Sequence, residues 1–145
     1  MKPATCNDNL KASISAFRDG KRDFDVQELN DIKLYFLKYK DQLSTTQFFR
    51  GELQEYLVIS CFADEFQEEL LNHMIKKLCA AIAIVVSVKD KEVLIKTNKT
   101  VCNVNLCKLS QLLCDGNCID ESKEIAQGKI TEKFLKFTTK LTPCI

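Results

Sequence analysis

Eight cysteines are the residues with the most chemistry to offer, and four of them, Cys102, Cys107, Cys114 and Cys118, fall within one short stretch. Four thiolates in a C-x4-C-x6-C-x3-C series are enough ligands for a tetrahedral zinc site. The spacing argues against one. Zinc knuckles use paired C-x2-C steps, and here only Cys114 and Cys118 come close. Leu106, Leu109 and Leu113 predict a helix, in which Cys107 and Cys114 stand two turns apart, about 10 Å along the axis. A single zinc cannot bridge that gap, so no metal and no cofactor is expected. A Cys114–Cys118 disulfide across Asp115-Gly116-Asn117 is geometrically open. The N-terminus, MKPATCNDNL, has no apolar run and does not read as a cleaved secretory signal. The thiols are therefore expected to be reduced and partly buried, in an intracellular, cytoplasmic protein.

Other reactive groups are sparse. His73 is the lone histidine, beside an apolar stripe near a helix end, where the macrodipole favours its protonated form. One histidine cannot supply an H-x3-H zinc editing site. Asp64, Glu65, Glu68 and Glu69 form an acidic helix start, which complements the dipole and reads as structural. There is no G-x-S-x-G, Walker A or dinucleotide fingerprint. No catalytic residue is nominated. Tyr35 and Tyr39 lie at i, i+4 among lysines in "DIKLYFLKYK", a pattern that suits arm-to-body packing or stacking on nucleotides.

Charge adds a direction. The net charge of +1 hides an asymmetry: residues 1–75 hold nine Lys/Arg and thirteen Asp/Glu, residues 76–145 twelve and seven. The second half is the one to consider for polyanion binding. The longest apolar run, Leu78 to Val86, has nine residues, against the roughly 20 that span a bilayer. No membrane segment is expected.

The elements that must position these groups follow from periodicity. Leu10, Ile14 and Phe17 predict one helix, and Leu29, Ile32, Phe36, Tyr39 and Leu43 a second, with a break at Gly20. Together they form a helical hairpin. "STTQ" (Ser44 to Gln47) has the form of a helix start, and Phe49 and Leu53 suggest a short third helix. Glu55 to Phe62 is β-rich. Phe66, Leu70, Met74 and Leu78 mark a helix over roughly 63–78, and Ala80 to Val88 is apolar on both faces, as an interior strand is. Glu92 to Thr97 returns as a hairpin partner. A helix at Leu106–Leu113, a loop over 112–130 and a last helix through Ile130, Phe134, Phe137 and Leu141 complete the chain. The expected fold is α+β: a helical arm over 1–51, then a small sheet with one apolar face covered by helices over 52–145, in the order β-α-β-β-α-α.

That order, with "YLVIS", "NHMIKKL", "AAIAIVVSVKDKEVLIKTNK", "NLCKLSQLL" and "DGNCIDESKEIAQGKITEKFLKF", resembles the C-terminal (C-Ala) domain of alanyl-tRNA synthetase over roughly residues 8–141. Asp115-Gly116 opens the family-like loop and Ala126-Gln127-Gly128 closes it. The resemblance implies a non-catalytic module that contacts the outer corner of tRNA, tRNA-Ala above all. It also implies a role in bringing the catalytic and editing domains of a synthetase onto one tRNA and, as in some lineages of the family, formation of a homodimer. The alternative is a C-Ala-like domain that has lost RNA binding and serves as a protein–protein or dimerisation module. A cysteine-stapled secreted helical protein is a third reading. The departure from the family falls in the loop, where several glycines are replaced by Asn117, Cys118, Ile119 and Asp120, followed by Glu121. Bare backbone can approach a phosphate where side chains cannot, and the two acids repel one. Lysines would have to compensate. The RNA-binding candidates are Lys99, Lys108, Gly116, Asn117, Lys123, Gln127 and Lys129, through contacts that would be salt-dependent.

Overall fold

The computed structural model describes the backbone of residues 4–20, 23–114, 117–120 and 125–144, with side-chain surroundings described from residue 10 onward except at 11 and 117–120. It divides into two compact units, Met1–Ser44 and Thr45–Ile145. Gly51 lies inside the second.

The first unit is the expected helical hairpin. α1 (Ala4–Asp19) ends at Gly20, whose φ of +64° suits a glycine-closed helix terminus. α2 (Val26–Thr45) opens on a reciprocal cap. Asp25 Oδ1 accepts from Glu28 N at 2.8 Å, while Asp25 N donates to Glu28 Oε1 at 3.4 Å. Ser13 donates to Glu28 across the hairpin, and Phe17 packs against both Phe24 and Phe36. Ile14 and Ile32 are its buried centre.

The second unit is α+β, but it has four strands beyond the expected order. β1 (Phe48–Leu53) stands where a third helix is expected from Phe49 and Leu53. "STTQ" caps nothing: Ser44 and Thr45 finish α2, and Gln47 donates to the carbonyls of Phe48 and Cys144. β2 (Tyr56–Phe62), α3 (Gln67–Lys76), β3 (Ile82–Ser87), β4 (Glu92–Thr97) and α4 (Leu106–Cys114) follow. The stretch read as a loop contains β5 (Asn117–Asp120) and β6 (Ile125–Lys129). α5 (Glu132–Thr138) is shorter than its apolar spacing suggests, and the two-residue β7 (Thr142–Pro143) ends the sheet. The sheet order is β5-β6-β4-β3-β2-β1-β7, antiparallel throughout except for the β2–β3 pair.

Helices cover both faces, where one covered face is expected. Val58, Ile82, Ile84, Val86, Val93, Ile95 and Ala126 meet Leu109 and Leu113 of α4 and Phe134 and Phe137 of α5 in the main core. Alternation turns Ile59, Cys61, Ala83 and Val85 to the other face. All four are buried there, and α3 packs against β3 and β4 on that side with Leu70, Leu71 and Met74 fully buried. This explains why every residue of β3 is buried. Each buried side chain of this size contributes about 1.5–3 kcal/mol, so β3 anchors the unit.

Candidate nucleic-acid interface

The nominated residues are distributed along the sheet by their strands. Gln127 and Lys129 alternate with Ala126 and Gly128 in β6. Ala126 and Gly128 are buried on the α4 side, so Gln127, half-buried, and Lys129, exposed, belong to the opposite face. The backbone of Asn117 pairs with Gln127, which also pairs with Leu94, while Lys129 pairs with Glu92. Lys99 lies beyond the other end of β4, in a turn where Asn98 Oδ1 accepts from Thr100 N and Thr100 Oγ1 at 3.1 and 2.7 Å. β4 is six residues long, so those two ends are about 17 Å apart at ~3.4 Å per residue. Lys108 is exposed in the first turn of α4, which Asn105 caps by accepting from Lys108 N at 3.1 Å. Lys99 and Lys129 thus mark opposite ends of the sheet and do not form one cluster. Gly116 and Lys123, and the side chain of Asn117, lie outside the described residues.

Gly128, at the end of the family-like stretch, serves packing. It is buried, and a Cβ placed on it would collide with Cys114 Sγ and come within 3.0 Å of the Cys114 carbonyl oxygen. Its bare backbone admits the end of α4. One residue on this side that sequence reasoning missed is Lys96. Its Nζ donates to Asn72 Oδ1 at 2.7 Å, tying β4 to α3. The i, i+2 alternation through Leu94 and Lys96 is the signal that could have placed it on the face of Gln127.

The acidic helix start also separates on folding. Asp64 accepts from Ser87 Oγ at 3.0 Å and from Lys89 N at 3.1 Å, which fastens the end of β2 to the β3–β4 turn. These hydrogen bonds, the Lys89 backbone first, hold its carboxyl below the usual range. Glu69 is buried in α3. His73 stacks on Phe48, with ring centroids 5.6 Å apart. Burial, and then Lys77, lower its pKa. This direction runs against the expectation that the helix end favours the protonated imidazole. Tyr35 and Tyr39 are half-buried.

Among the thiols, Cys61, Cys102 and Cys114 are buried and Cys79 is exposed, none of them in a disulfide. Burial pushes the Cys61 pKa to about 12. Cys107 is disulfide-bonded, so the expectation of reduced thiols fails at that position. Cys114 is not disulfide-bonded, which removes the Cys114–Cys118 bridge. Among the described residues no group of three or more His, Cys, Asp or Glu is placed to hold a metal ion, and no helix is long and apolar enough to cross a membrane.

Comparison with known proteins yields little to set beside this geometry. No family model and no curated protein matches the chain. Among solved structures, the chain is similar to an uncharacterized protein from Helicobacter pylori G27, at 18% identity and a TM-score of 0.45. The match covers 82% of this chain and only 33% of that one.

Proposed function

We propose that the chain is a non-catalytic, cytoplasmic RNA-binding module of the alanyl-tRNA synthetase C-terminal kind, docking on the outer corner of tRNA-Ala and bridging to the catalytic and editing domains of a synthetase. The observation that carries this reading is the Ala126-Gln127-Gly128 element. It forms a strand next to the short edge strand β5, with its glycine under α4 and its glutamine on the opposite face beside Lys96 and Lys129. With Gly128 committed to packing, contacts to RNA fall to side chains, and lysine–phosphate contacts depend strongly on salt. A gel shift of the full chain with tRNA-Ala at low and moderate salt tests the reading. A shift that weakens with salt is expected, and no shift at either salt would end it.

The second reading, a protein–protein or dimerisation module, is favoured by one feature of the first unit. Val26, Leu34 and Leu37 of α2 are exposed, at 75%, 57% and 49%, on the side away from buried Ile32. If this face joins two copies, Leu34→Lys/Leu37→Lys converts a dimer to a monomer in light scattering. A monomeric parent protein disposes of that idea.

A further inference from the structure

The second unit has thirteen Lys/Arg and thirteen Asp/Glu, so any polyanion contact requires that the signs be segregated on its surface. At the Glu92 end of the sheet they are not. Lys129 stands opposite Glu92, and Lys89 shares its turn with Asp90 and lies against Asp64.

The helical layer is less balanced: among the described residues, α4 and α5 carry Lys108, Lys133 and Lys136 against Glu132. Phe134 and Phe137 fix which side of α5 faces the core. At 100° per residue, Lys133 and Lys136 then share one flank, Glu132, the one acid of this helix, lies at i, i+4 from Lys136, and Lys140 follows in the turn after the helix. Lys133 Nζ donates to the Gln111 carbonyl oxygen at 2.8 Å, which identifies the lysine flank as the one facing α4. Lys108 is one turn before Gln111 on the outer side of α4 and is exposed, as are Lys133, Lys136 and Lys140. α4 itself contains no acid. Lys108, Lys133 and Lys136 therefore lie on two helices locked to the same core, with Lys140 in the turn that closes α5.

We infer that the α4–α5 seam, through Lys108, Lys133, Lys136 and Lys140, is the phosphate-backbone contact of this module. The inference rests on the tRNA-binding reading and adds the surface: Lys133, Lys136 and Lys140 are not among the residues nominated from the sequence. The seam is side-chain mediated and needs no glycine, which suits a chain whose loop glycines are replaced. It reads backbone charge and not base identity, so single-base changes in the tRNA leave affinity nearly constant.

The test is the salt dependence of tRNA-Ala binding by the full chain. Four phosphate contacts give a log K against log salt slope of about −3 to −4. Lys133→Ala/Lys136→Ala reduces its magnitude by about two, and Lys136→Gln alone by about one. Lys76→Ala, at the end of α3 on the other face of the sheet, leaves it unchanged. Because Lys133 also bonds the end of α4, circular dichroism confirms folding of the double variant, and the exposed Lys136→Gln carries the test on its own. If wild-type protein binds and both seam variants keep its slope, the seam is refuted and the tRNA reading survives. If wild-type protein does not bind, both fall together.

Discussion

Gly128→Ala isolates the contact that joins α4 to the sheet. Gly128 has no positive φ, so alanine fits the backbone of β6 and the cost is steric alone. The new methyl would meet Cys114 Sγ, with the Cys114 carbonyl oxygen at 3.0 Å and Cβ at 3.2 Å. The sulfur cannot simply swing out, because Cys114 is fully buried, and the carbonyl belongs to the helix backbone. Overpacking of this kind costs about 1–3 kcal/mol. Replacing glycine returns about 0.4–1 kcal/mol by restricting the unfolded chain. The net loss is about 1–2 kcal/mol, or a fall in Tm of about 5–10 °C for a unit of this size. Thermal melts followed by circular dichroism read it directly. Cys114→Ala removes the sulfur but leaves the carbonyl, so the double variant should recover part of the loss, with a coupling of about 1 kcal/mol. Gly128→Ala melting at or above wild type, or the two changes adding to within about 0.5 kcal/mol, would refute the claim that this glycine is there for packing.

Two pH effects follow from the perturbed groups. Because the His73 pKa is lowered in the fold, the unfolded chain takes up its proton first on acidification. His73 therefore favours folding fully above about pH 6.5 and loses that contribution as pH falls toward the folded value. His73→Phe should flatten the dependence of Tm on pH in that window. Asp64 has the usual carboxylate sign: its stabilisation is present above the unfolded value of about 3.9 and is lost as pH falls through the lower folded one. Asp64→Asn should shift the acid unfolding midpoint and leave His73's window untouched. A thiol titration of native protein should find Cys79 reactive at once and Cys61, Cys102 and Cys114 silent until unfolding. Unfolding without reductant should release fewer than eight thiols, because Cys107 is disulfide-bonded.

The parts of the fold legible in the sequence are those where burial imposes a pattern. β3 reads as an interior strand because both its faces are covered. The Leu/Ile/Phe stripe of α2 and the i, i+4 repeat of α3 read as helices because each packs along one side. β1 was illegible for a local reason. Its hairpin with β2 turns through Gln54 and Glu55, both at positive φ, +53° and +72°. That turn ordinarily announces itself by Asn-Gly or Asp-Gly, and Gln-Glu carries no such signal. Phe49 and Leu53 then fit a helical period equally well. β6 was hidden by its composition: "IAQGK" has one β-branched residue and a glycine, and a glycine within a strand often marks close approach of another backbone. Here the approaching backbone is Cys114, a long-range fact that no window of sequence contains. Of the candidate interface, individual strand positions were legible, but their distribution was not. Lys99 and Lys129 are 30 residues apart in the chain and at opposite ends of the sheet because β4 and β6 are antiparallel neighbours.

The burial of Gly128 has a consequence for how this protein would hold RNA. A glycine-lined surface binds by letting the backbone close on the sugar–phosphate chain, and such contact depends on shape more than on charge. With Gly128 under α4, and with Asn117 to Asp120 in place of further glycines, that mode is left to Gly116 alone in this loop. What remains is attraction between ammonium groups and phosphates across solvent, where each contact releases counterions and each is weakened by salt. A module of this design would bind tRNA weakly alone at physiological ionic strength. Joined to a second tRNA-binding domain it gains an effective concentration near the millimolar range for a short linker, so modest electrostatic contacts suffice. On the proposed reading, fusing the chain to a catalytic tRNA-binding fragment should restore at moderate salt the binding that the isolated chain shows only at low salt. If the fused and isolated chains lose tRNA at the same salt concentration, the module contributes no contact of its own.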